Sequence, residues 1–147
     1  MTGARQTIQW RQLGMPEAEF IGVMYFTDRV NGDVRVENTD NWVFAGAGLR
    51  DGDRLAGLLG YEIDQITPSS PANVTALAKS PVQISSSVQY SNMSTYTAAS
   101  GATVFATGSM QWNWGLDDYN TPTLRPSRQR VAAQQVTRNV LARFAQP

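Results

Sequence analysis

The chain has 147 residues, 41% of them hydrophobic and only 16% charged, with 12 basic against 12 acidic side chains and neither cysteine nor histidine. That composition describes a chain large enough to bury a core, and it excludes disulfides, thiolate nucleophiles, Cys/His zinc sites and every catalytic triad built on histidine. A single lysine and a net charge of zero give no phosphate-tracking field, so nucleic acid is not an expected partner.

In chain order, Met1–Trp10 carries no apolar run of signal-peptide length, and no later stretch approaches a membrane span. Phe20–Phe26 is a nearly continuous apolar run and predicts a buried strand. Asn31-Gly32 predicts a turn or loop, and Trp42–Ala45 a second strand closed by Gly46 and Gly48. Arg50–Arg54 reads as a charged turn. In Leu55–Ile66 two glycines and the alternation Tyr61-Glu62-Ile63-Asp64 favour a strand. Thr67–Ala72 holds two prolines and is the nearest thing to a linker. Val74–Ala78 reads as a short helical turn or a loop. Asn92–Ala98 and Ala102–Thr107 flank Ala99-Ser100-Gly101 and predict a β-hairpin. After the proline-containing loop Tyr119–Pro126, Ser127 is placed to N-cap an amphipathic helix over about 127–145. Its stripe is Ala133, Val136, Val140 and Phe144, with Leu141 alongside. The expected fold is α/β: a mixed β-sheet with few helices, the C-terminal amphipathic helix docking on one face. Residues 1–147 are expected to form a single domain or a domain fragment.

The neutral total hides a split. Residues 1–66 hold ten acids against six arginines, residues 67–147 six basic side chains against Asp117 and Asp118, so the halves are −4 and +4. Between Lys79 and Asp117 lie 37 residues, Ser80–Leu116, without Asp, Glu, Lys or Arg. Such a stretch suits strands covered on both faces. It also suits a surface covered by a partner or by the rest of a larger protein.

The candidate site residues have two readings each. Glu62 and Asp64 share a face of a regular strand, where two carboxylates hold a cation or divide acid and base roles. The plainer reading is a polar strand face meeting an arginine such as Arg138. Met110, Trp112 and Trp114 alternate, so an extended backbone would give an apolar stripe. Such tryptophans stack on sugar rings or line a pocket, or else pack as core beneath the C-terminal helix. Asp117-Asp118 suits a cation or a turn cap. Ser85-Ser86-Ser87 has no partner base in the chain, and Gly46-Ala47-Gly48 is too short for a dinucleotide fingerprint.

Four blocks carry a resemblance: Asp40–Gly48 (DNWVFAGAG), Gly57–Asp64 (GLLGYEID), Ser100–Asp117 (SGATVFATGSMQWNWGLD) and Val136–Leu141 (VTRNVL). Together they resemble the C-terminal part of the N,N-dimethylformamidase large (beta) subunit-like family, from about Leu13 to Phe144. Members of that family look like iron-dependent amide hydrolases acting on linear amides, with iron held by tyrosine and glutamate. Their large subunit includes a region similar to glutamine-amidotransferase-like (flavodoxin-like) folds. Relatives of the domain also occur as modules of larger bacterial proteins. The resemblance implies a terminal segment that serves as scaffold or pocket wall and is not catalytic in isolation. Its partner would be the remainder of a larger polypeptide or another subunit. No metal motif aligns residue by residue, so no ligand is carried over: no cofactor is expected within this chain, and iron belongs to the full-length parent. Glu62, which follows Tyr61 in a matching block, leads the candidate pocket, with Asp64, Trp112, Trp114 and Asp117. The alternative from another class is a non-catalytic binding module, carbohydrate-directed through Trp112 and Trp114.

Overall fold

A computed structural model describes residues 8–146. β1 (Met24–Arg35) pairs with β2 (Arg54–Gln65), while β3 (Thr75–Ile84), β4 (Ser87–Thr97) and β5 (Thr103–Ala106) form a second sheet in the order β3-β4-β5. The helices are a single turn, α1 (Ala18–Ile21), and α2 (Val131–Phe144); 3-10 turns lie at Trp10–Leu13, Trp42–Phe44 and Met110–Gly115. Among the described residues every ladder is antiparallel. The expected mixed sheet is therefore two antiparallel sheets with few helices and a C-terminal helix. The connections explain this: β3 and β4 are joined by Ser85-Ser86 alone, a span that allows a hairpin and forbids the long crossover of a parallel pair. No helix among the described residues is long and apolar enough to cross a membrane.

Several elements differ from the sequence expectation, each for a local reason. The run Phe20–Phe26 is divided, because Gly22 sits at φ 84° and ends α1 before β1 begins. Asn31-Gly32 is not a turn. It lies inside β1 opposite Gly60 and Leu59, where three register shifts absorb the irregular sequence. Trp42–Phe44 is a 3-10 turn instead of a strand, since the Asn41 side chain accepts the Val43 N–H at 3.1 Å and starts a helical turn. Val74–Ala78 is neither a helical turn nor a loop: Thr75–Ala78 already belong to β3, with Thr75 opposite Thr95 of β4. The helix begins at Val131, four residues after the expected cap, and Ser127 instead donates its hydroxyl to the Asp118 carboxylate at 2.7–2.8 Å. The β4–β5 hairpin and the β2 strand match the expectation.

The two sheets are stitched together at both sides. Beyond β1, Val36 bridges to Ala78 of β3, and the Arg35 N–H donates to Ser80 Oγ at 3.0 Å. Beyond β5 the chain crosses over, so that Ser109 bridges to Ile63 of β2 and the Asp64 N–H donates to the Gly108 carbonyl at 3.1 Å. The result is an irregular ring around one core. Leu55, Leu58, Leu59 and Ile63 of β2 meet Leu77 and Met93 there, with Val43, Phe44 and Trp112 from the 3-10 turns and Ala133, Val136 and Val140 from α2. Burying each large aliphatic side chain contributes about 1.5–3 kcal/mol.

The uncharged stretch supplies most of the second sheet and the 3-10 helix that follows it. Two of its buried hydroxyls pair with backbone: Ser91 Oγ donates to the Gly108 carbonyl at 3.0 Å, and Thr95 Oγ1 to the Val104 carbonyl at 2.8 Å. Small hydroxyl residues allow buried polar pairing where an ionised side chain would carry a large desolvation cost.

Candidate functional site

Three groups of chemistry-bearing residues emerge. In the first, β1 and β2 set Tyr25 opposite Asp64 and Asp28 opposite Glu62. Glu62 and Asp64 are half-buried. Burial pushes the Asp64 carboxyl up from its ordinary value, and the negative charges of Glu62 and of Glu17 push it further the same way. The two strand carboxylates therefore feel each other, and the N-terminal arm adds a third. Glu17 itself is ion-paired with Arg11, whose guanidinium lies 5.8 Å from the centre of the Tyr25 ring. Arg138 stands on α2 and makes no ion pair with either strand carboxylate among the described residues.

The second group is at the other end of β2. Met110–Gly115 is a 3-10 helix, so Met110, Trp112 and Trp114 do not form the stripe an extended chain would give. Met110 is exposed. Trp112 is buried, with its indole N–H donating to Thr137 Oγ1 of α2 at 3.1 Å. Trp114 is half-buried beneath two guanidiniums, Arg128 at 5.0 Å and Arg125 at 5.4 Å from its ring centre. Asp117 is exposed and accepts the Tyr119 N–H at 2.8 Å, which is turn-cap geometry.

The third group had no sequence signal. Ser109, Gln111, Asn31 and Arg128 form a network between β1, β2 and the 3-10 helix. Ser109 Oγ accepts the Gly60 N–H at 2.8 Å and donates to the Leu58 carbonyl at 3.0 Å. Gln111 Nε2 donates to the Leu59 carbonyl at 2.8 Å, and its oxygen accepts from Arg128 at 3.0 Å. Arg128 also donates to the Gly57 carbonyl at 2.6 Å and to Asn31 at 3.2 Å. The close approach needs glycine: a Cβ on Gly57, at φ 71°, would lie 2.7 Å from Arg128 Nε. Only a fold that brings together positions up to 97 residues apart creates this network.

The candidates thus divide. Glu62 and Asp64 are neighbours on the outer part of β2. Trp112, Trp114 and Asp117 belong to the segment that secures α2. Tyr61 is 60% exposed and Tyr25 lies beside the Arg11 guanidinium, and among the described residues no group of three His, Cys, Asp or Glu side chains is placed to hold a metal ion.

A sequence model of the family described as N,N-dimethylformamidase beta subunit-like, C-terminal, matches residues 1–125. The match spans both sheets and Glu62, Asp64, Trp112, Trp114 and Asp117, and stops before Arg128 and α2, so the Val136–Leu141 block lies outside it. Searches of curated proteins and of solved structures returned no match. With the family match running through all five strands, the chain belongs to the N,N-dimethylformamidase beta subunit-like C-terminal family.

Proposed function

We propose that this chain is the terminal, non-catalytic domain of a dimethylformamidase-like amide hydrolase, serving as scaffold and contributing at most a pocket wall through the Glu62–Asp64 face. The observation that supports this reading best is what the other candidate side chains do. The Trp112 N–H is taken by Thr137, Trp114 is covered by Arg125 and Arg128, and Asp117 caps a turn. A group committed to holding its own fold has little capacity left to bind or transform a substrate. The carboxylate pair on β2 is the exception: burial, and then the neighbouring charge of Glu62, raises the proton affinity of Asp64. In this reading the parallel, flavodoxin-like sheet and any iron belong to the rest of a larger polypeptide or to another subunit.

The experiment measures hydrolysis of formamide and N,N-dimethylformamide, with iron content, on this chain alone and on the larger polypeptide that contains it. The expected result is an inactive chain and an active, iron-containing parent. Hydrolysis by the chain alone overturns the scaffold role, and a metal-free, inactive parent overturns the hydrolase assignment.

A further inference from the structure

The chain contains one Asn-Gly pair, Asn31-Gly32, and the fold places it inside a strand. Such a pair carries chemistry of its own. The Gly32 backbone nitrogen can attack Asn31 Cγ, because glycine has no side chain to hinder the approach. The new N–Cγ bond closes a cyclic imide, the Cγ–Nδ2 bond breaks, and the Gly32 N–H proton leaves with Nδ2 as ammonia. Water then opens the imide. Cleavage at Cγ gives aspartate, whereas cleavage at the Asn31 carbonyl carbon gives isoaspartate, with the backbone rerouted through the side chain. Ring closure requires the backbone at Asn31 to fold back until the nitrogen meets Cγ. An extended strand residue points that nitrogen away.

What keeps this backbone extended is local. Asn31 stands opposite Gly60 and Gly32 opposite Leu59, but the ladder is interrupted directly afterwards and resumes at Val34 opposite Leu55. Side chains take over in the gap. Asp33 Oδ1 accepts the Gly57 N–H at 3.0 Å, and Arg128 Nη1 donates to the Gly57 carbonyl at 2.6 Å. The same Arg128 nitrogen donates to Asn31 Oδ1 at 3.2 Å, and Gln111 Nε2 reaches that oxygen at 3.4 Å. The amide is thus held by its oxygen, while Asn31 is exposed to the water that the second step consumes. Paired strands open most easily where ladder bonds are missing. We propose that Asn31 is a latent deamidation site, kept unreacted by the Asp33 and Arg128 contacts and converted to aspartate or isoaspartate when β1 parts from β2 at this gap. Isoaspartate adds a carbon to the backbone opposite Gly60 and shifts the residues that follow out of register, so the reaction makes a local opening permanent. This holds whether or not the larger polypeptide hydrolyses amides.

The test incubates the complete 147-residue chain at mildly alkaline pH, folded and in urea, and follows the tryptic peptide 30–35 by liquid chromatography and mass spectrometry. The asparagine, aspartate and isoaspartate forms separate. Asn31 is expected to convert at least about tenfold more slowly in the folded chain than in urea. Arg128→Ala and Asp33→Ala are each expected to speed folded-state conversion at least about threefold, relative to the same variant in urea. Asn139→Ala, which loosens α2 away from this gap, leaves folded-state conversion unchanged. At Gly32 a Cβ would meet Leu59 Cδ2 at 3.5 Å, an ordinary contact, so Gly32→Ala keeps the fold and slows conversion in urea. Circular dichroism verifies the fold of each variant. If Arg128→Ala or Asp33→Ala unfolds, the other variant and the wild-type ratio still decide. Equal conversion of the wild-type chain folded and in urea overturns the proposal. So does slower conversion in Arg128→Ala, which would make the guanidinium an activator of the amide. Equal acceleration by Asn139→Ala and Arg128→Ala also overturns it, because the route would then be global unfolding.

Discussion

The two helical segments that flank the β-ring differ in what they bury. α2 is 14 residues long and turns Ala133, Val136 and Val140 into the core. Asn139 clasps the carbonyls of Val43 and Ala45 at 2.9 and 2.8 Å, and Gln134 reaches the Leu116 carbonyl at 2.7 Å. The N-terminal arm has a 3-10 turn and a single α turn, and of these only Ala18 is buried. Its large side chains face outward. α2 closes its side of the core with its own apolar stripe, whereas the described part of the arm leaves the same kind of side chain exposed. The contrast follows from anchoring: α2 has a stripe and side-chain clasps, while the arm is held mostly through backbone and small residues.

The sharpest way to break this contrast is at α2. Val136→Asp puts an unpaired carboxylate among fully buried aliphatics, and is expected to remove about 4 kcal/mol or more, leaving the chain largely unfolded by circular dichroism. Asn139→Ala keeps the stripe and removes the clasp. A loss of about 1–2 kcal/mol is expected in urea unfolding, with the 3-10 turn at Trp42–Phe44 gaining the fastest amide exchange. The equivalent change on the arm, Phe20→Ser, is expected to move stability by less than about 0.5 kcal/mol while lowering binding of an apolar dye.

The smallest effect concerns two carboxylates with opposite environments. Asp64 has a raised folded-state pKa, so between 3.8 and that value the folded chain holds its proton more tightly than the unfolded chain. Its contribution is therefore lost as pH rises through that window. Asp51 is lowered, first by the Thr39 hydroxyl and then by the Thr39 N–H, both of which donate to it. Its contribution is present above 3.8 and lost as pH falls through the lower folded value. Asp64→Asn should raise the thermal midpoint at pH 7 by on the order of 1 °C, with no gain near pH 2. Asp51→Asn should lower the midpoint at pH 7. Calorimetry across this range checks both signs.

What the sequence showed depended on whether the signal was local. The alternation in β2 and the Gly101 hairpin are written within a few residues, and both stand in the structure. The α2 stripe was legible at Ala133, Val136 and Val140, whereas Leu141 and Phe144 remain 62% and 49% exposed. Hydrophobic content alone could not distinguish a strand from a 3-10 turn at Trp42–Phe44, because capping by Asn41 decided it. The same ambiguity put Trp112 and Trp114 on one extended face. Their actual partners, Thr137 and the two arginines, lie up to 25 residues away or on segments read as loop. Of the candidate site, the proximity of Glu62 and Asp64 followed from strand periodicity, but the third charge, Glu17, came from a separate element. The network around Gln111 was invisible because nothing in its composition distinguishes a buried glutamine from an exposed one.

The ring closure at Ser109 carries a consequence for how the chain reaches its fold. Ser109 and Gly60 are 49 residues apart, and Arg35 and Ser80 on the other seam are 45 apart. The hairpins can form first from near neighbours, but neither seam can close until both sheets exist, and each closure fixes a long loop. The order of assembly is thus set by topology, with β3–β4–β5 early and the Gly108–Ser109 crossover late. A newly made chain would spend that interval with the outer edge of β2 unpaired, the period in which a neighbouring strand could take the place of Ser109.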